Sequence, residues 1–83
     1  MNIKTEINMI LNAIMDTLAE EPFIPASFPQ LAAEQAGISP EARRMALQFA
    51  EEYGLINRNN DMLTPGPKLA EILAAKRVAK AST

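Results

Sequence analysis

The chain contains no cysteine, no histidine and no tryptophan. These absences exclude disulfides, thiolate or imidazole metal sites, and every catalytic triad or dyad that relies on His or Cys as nucleophile or base. Aromatic residues are also scarce, at three Phe and one Tyr. A core must then be assembled from Leu, Ile, Met and Ala, which favours helices. No uninterrupted apolar run is long enough for a bilayer, and Glu6, Asn8 and Asn12 break up the apolar start, where a signal peptide would need a basic region. The expectation is a cytoplasmic protein with no membrane association and no cofactor.

What is present fits one domain. At 83 residues, 48% of them hydrophobic, a single core is feasible, although a core of this size is marginal and a partner subunit would help it. The net charge of −2 is unevenly spread. Up to Tyr53 the cations are Lys4, Arg43 and Arg44 against eight acids, a balance of −5; from Gly54 onward five cations face Asp61 and Glu71, a balance of +3. Neither the whole chain nor its helical pair has the strong positive field of an independent DNA binder.

Leu31 to Ile56 organises the rest. A helix is expected to start at Ser27, through a side-chain cap, and to end at Gly37, since glycine takes the left-handed closing conformation freely. Ser39 and Pro40 start a second helix, with Glu41 at the positive end of its dipole, and Gly54 stops it after Tyr53. Two short helices at this separation have helix-turn-helix spacing. Before them, Ile3, Ile7, Ile10, Leu11, Ile14 and Leu18 define an amphipathic helix that Thr5 could cap and Pro22 ends. Met9 and Met15 widen its apolar surface, either as gap-fillers or as the contact of a homodimer through this N-terminal helix. Phe23 to Pro29 reads as an extended connector with both of its rings pinned in the core; the Pro22–Pro25 spacing also matches a PxxP docking motif, which a buried connector produces equally well.

After Gly54, two short apolar runs flank Asn57 to Asp61, a hairpin signal, and Pro65 and Pro67 bracket Gly66. Lys68 to Ala79 reads as a final helix with a basic end at Lys76, Arg77 and Lys80, followed by a frayed tail. This succession of a helix, a Gly-Ile-Ser-Pro turn, a helix ending Glu-Glu-Tyr-Gly-Leu-Ile, a hairpin, Leu-Thr-Pro-Gly and a closing helix resembles the winged-helix superfamily of small DNA-binding domains in bacterial transcription regulators. The likeness covers roughly residues 5 to 76. It implies a mainly α fold with a small β-hairpin, a winged helix-turn-helix, as one domain over residues 1–83. One position departs from the pattern. Six residues after the turn glycine the superfamily usually has a buried apolar residue, and here stands Arg43. The apolar stripe of this helix is expected to have slipped by one, to Ala42, Met45, Ala46, Phe49 and Tyr53.

The resemblance implies a DNA-binding transcription regulator acting as a dimer. Arg44 and Gln48 would meet base edges of double-stranded DNA in a major groove; Arg43, Lys68 and Ser39 with its helix start would meet phosphates; Arg58, Asn59 and Asn60 would reach the adjacent backbone or minor groove from the hairpin tip. On a solvated face, Arg43 and Arg44 would instead pair with Glu41, Glu51 or Glu52. The acids on this helix oppose DNA, because binding draws on counterion release by cations. The alternative is a winged helix used for protein–protein contact, an adaptor or inhibitor of phage or plasmid type whose acidic face docks on a basic partner. Leu47, apart from the stripe, is a candidate for such a contact. Enzymatic activity is not expected, since Glu20–Glu21 and Glu51–Glu52 are neighbours with nothing converging on them.

Overall fold

The computed structural model describes residues 2–81, with side chains up to Val78. The Lys80 side chain and the tail residues Ser82 and Thr83 lie outside the described residues. The elements in order are α1 (Ile3–Glu20), β1 (Ile24–Pro25), α2 (Phe28–Ala36), α3 (Pro40–Glu52), β2 (Ile56–Asn59), β3 (Met62–Pro65) and α4 (Pro67–Ala81). They form a mainly helical fold with a small three-stranded antiparallel sheet in the order β1-β3-β2.

The stripe on α1 forms the centre of the core. Ile10, Leu11, Ile14 and Leu18 are buried, and Ile7 and Met15 pack against them. Met15 is thus a gap-filler, whereas Met9 and Ile3 remain exposed. The cap is Asn2 rather than Thr5: the Asn2 side chain accepts the Thr5 N–H at 2.8 Å, so Thr5 is already inside the first turn.

The connector contains a strand that the sequence did not betray. Ile24 and Pro25 pair with Leu63 and Met62, and the Ala26 N–H donates to the Asp61 carbonyl at 2.8 Å. Two residues are too few to show an alternating pattern, and prolines on both sides suggest a linker. Proline is tolerated because β1 is an edge strand. Only one of the two rings is pinned: Phe28 packs on the core, while Phe23 is exposed. Ser27 precedes α2 without a side-chain cap bond, since its own backbone is already helical at φ −78 and ψ −13, which prevents its hydroxyl from folding over the first turn.

Both glycine corners close in the same way. At the first, Ile38 N–H donates to Ala33 and Gly37 N–H to Glu34; at the second, Leu55 N–H donates to Ala50 and Gly54 N–H to Glu51. Each glycine has a positive φ, +70 at Gly37 and +73 at Gly54, and each is followed by an apolar residue turned into the core. This is the Schellman closure, and it sets the angle at which the chain leaves each helix.

The hairpin joins β2 and β3 with Asn59 opposite Met62, so the bend is two residues, Asn60 and Asp61. Asn60 takes φ +55, a left-handed conformation that asparagine tolerates better than most residues. The end of the hairpin returns to the second corner. Gly66 N–H donates to Leu55 and Lys68 N–H to Gly54, at 2.9 and 2.8 Å, which seats α4 beside the end of α3. There Leu69 is buried, Ile72 and Leu73 are half-buried, and Val78 is exposed.

Candidate functional site

The outward helix of the corner is α3, and its inner face is built from alanines. Ala42, Ala46 and Ala50 are at most 1% exposed. They recur every fourth residue, and α3 lies chiefly against α1, whose buried side chains are Ile and Leu. Small residues on one helix opposite large ones on the other let the two axes approach closely. The slipped stripe is therefore corrected. Leu47 packs against the core and Arg43 is half-buried beside it, whereas Met45, Phe49 and Tyr53 lie outside, 43%, 41% and 60% exposed. Leu47 consequently has little surface to offer a partner.

These three form a continuous outer row at a spacing of four. The rings of Phe49 and Tyr53 stack with centroids 4.2 Å apart and planes 29° from parallel, which stiffens its C-terminal half. A second exposed row, Arg44, Gln48 and Glu52, runs beside the first. With about 100° of rotation per residue, Gln48 lies almost opposite the alanine face and the Met45–Phe49 row flanks it.

The N-terminus of α3 is largely satisfied within the protein. The Ser39 hydroxyl accepts the Ala42 N–H at 3.2 Å, and the Ser39 N–H donates to Glu6 Oε1 of α1 at 3.0 Å. Pro40 has no N–H, so only the Glu41 N–H remains in this turn, next to its own carboxylate. The Ser39 N–H is thus engaged internally, while its hydroxyl, an acceptor here, keeps its O–H to donate.

The hairpin arginine is also engaged. Arg58 Nε lies 3.6 Å from Glu51 Oε1, with the two side chains 49% and 41% exposed. Among the described residues no ion pair joins Arg43 or Arg44 to Glu41, Glu51 or Glu52; the partner of Glu51 is on β2. Asn59 and Asn60 are exposed at the tip, and Lys68 is exposed beside the corner while its backbone N–H holds Gly54. Of the eight residues expected to contact nucleic acid, Arg44 and Gln48 share one face of α3, and Asn59 and Asn60 share the hairpin tip. Of the remaining four, Arg43 is half-buried, the Ser39 N–H and the Arg58 side chain are bonded within the protein, and Lys68 is exposed at the start of α4.

Away from α3, a groove of about 410 Å³ runs between the end of α1 and α4, with Leu18, Pro22, Pro65 and Leu73 in its lining and Glu20 and Arg77 among its charged residues. Among the described residues there is no cluster of acidic side chains that could hold a metal ion, and no helix is long and apolar enough to cross a membrane. Comparison of the chain with family models, curated proteins and solved structures finds no match.

Proposed function

We propose that this chain is a winged helix-turn-helix domain that works by docking α3 on another protein. The element order, with β1 completing a sheet against the hairpin and two glycine corners flanking α3, supports the winged-helix reading. The observation that carries the docking is the outer row of Met45, Phe49 and Tyr53, roughly half exposed on the helix that such a fold presents to its partner. Exposed aromatic and Met side chains in one row suit the desolvated centre of a protein interface. A helix face reading DNA draws its affinity from cations, and here the exposed positions hold Arg44 against Glu41, Glu51 and Glu52. Regulation by such a domain would act through occupancy of a protein surface rather than of an operator.

A second reading, a DNA-binding regulator, is favoured by the shared exposure of Arg44 and Gln48 on α3 and of Asn59 and Asn60 at the hairpin tip. Fluorescence anisotropy with a labelled mixed-sequence duplex at low ionic strength separates the two. The docking reading expects no saturable binding. Binding that weakens steeply with added salt and is lost in the Arg44→Ala, Arg58→Ala double variant overturns it.

A further inference from the structure

We propose that the partner of the α3 face is a second copy of this chain, with two α3 helices packed antiparallel about a two-fold axis near Gln48 and Phe49. This rests on the protein-docking reading above and names its partner.

The argument is the self-complementarity of the two exposed rows. A two-fold axis perpendicular to two antiparallel helices brings each flank of one helix against the same flank of the other, with the order reversed. Reversal of the row Arg44, Gln48, Glu52 about Gln48 sets Arg44 against Glu52 of the second copy, twice, with the two Gln48 side chains meeting at the axis. The same operation sets Met45 against the Phe49–Tyr53 ring stack of the other copy, an apolar contact on each side of the axis. Arg44 and Glu52 have no ion-pair partner among the described residues, so the pairing breaks no internal contact. Rows at a spacing of four on both helices are also the ridges that interlock in the commonest mode of helix packing.

The contact is small. One helix face per copy places it near the lower end of specific interfaces, about 1,200 Å² in total, which suits a reversible dimer. The hairpin stays outside it, because Arg58 reaches Glu51 on the flank of α3 away from the Met45–Phe49 row. Pairing buries Arg44 and Gln48 and therefore excludes simultaneous use of this helix in a DNA groove.

Sedimentation equilibrium over a concentration series tests the proposal on four samples: wild type, Arg44→Glu, Glu52→Arg, and an equimolar mixture of the two variants. Wild type should rise from 9.1 kDa toward twice that mass. Each variant alone places like charges together twice and should weaken association about tenfold or more, while the mixture restores both pairs and should dimerise again. Circular dichroism of each sample checks the fold, which substitutions at exposed positions leave intact. Wild type monomeric throughout the series overturns the proposal, as does a mixture no more associated than its components. A monomer that also fails to bind duplex DNA leaves the docking reading standing with a different partner; Arg44-dependent DNA binding removes that reading itself.

Discussion

The carboxylate of Glu6 accepts the N–H of Ser39 from 33 positions away in the chain, at 3.0 Å. In a local capping box a Glu at the third helical position performs this task, but that position in α3 is Ala42, which the core requires to be small. α1 therefore supplies the missing half of the box. The bond fixes the start of α3 to α1 and puts a negative charge where a phosphate would otherwise be drawn.

Glu6→Ala should accordingly lower stability by about 1 kcal/mol through loss of this part-buried acceptor, and Glu6→Gln by less, since its amide oxygen can still accept. Urea denaturation of the two variants measures the difference. Equal loss in both would mean that charge rather than the hydrogen bond matters at this position.

The second prediction concerns the alanine face. Ala46→Leu adds bulk at a position with no exposed surface and should destabilise by about 1–3 kcal/mol. Met45→Gln, one residue earlier on the outer row, should change monomer stability by less than about 0.5 kcal/mol. Thermal melts at low concentration, where self-association does not contribute, give both values.

The glycines should respond unequally. A Cβ on Gly66 would sit 2.3 Å from the Gly54 carbonyl oxygen, a backbone atom that cannot rotate away, so Gly66→Ala should cost about 2 kcal/mol or more and loosen α4. Gly37→Ala meets no atom within 4 Å and bears only the left-handed backbone at φ +70, about 1 kcal/mol. Chemical denaturation ranks them.

For Arg58→Ala the expected loss is below about 0.5 kcal/mol, because the pair with Glu51 is long and both side chains are exposed to screening solvent. A double-mutant cycle with Glu51→Ala reads the coupling directly.

How much of this was legible beforehand follows from the range over which each signal acts. The two glycine corners, the Ser39 cap, the hairpin around Asn59 and Asn60 and the Ile/Leu stripe of α1 are local patterns, and the residues that encode them also realise them. β1 was hidden because its pairing depends on Leu63 and Met62, far along the chain. The face of α3 departs from the expected stripe at Met45, Phe49 and Tyr53 and keeps Ala42 and Ala46, because both the large residues and Ala50 continue those alanines at helical spacing. Hydrophobicity favours the larger residues; the choice is made by α1, whose bulk leaves room only for alanine. The Ala42-Ala46-Ala50 spacing was the available signal, and it carries weight only once a bulky opposing helix is considered.

Amide shifts of the ¹⁵N-labelled protein, followed by NMR through serial dilution and then on addition of a mixed-sequence duplex, test most directly whether α3 is a surface for protein. Concentration-dependent shifts at Arg44, Met45, Gln48, Phe49 and Glu52, with Asn59 and Asn60 unmoved and no response to DNA, are the predicted result. Spectra unchanged on dilution, with α3 and the hairpin tip shifting together when DNA is added, would contradict it.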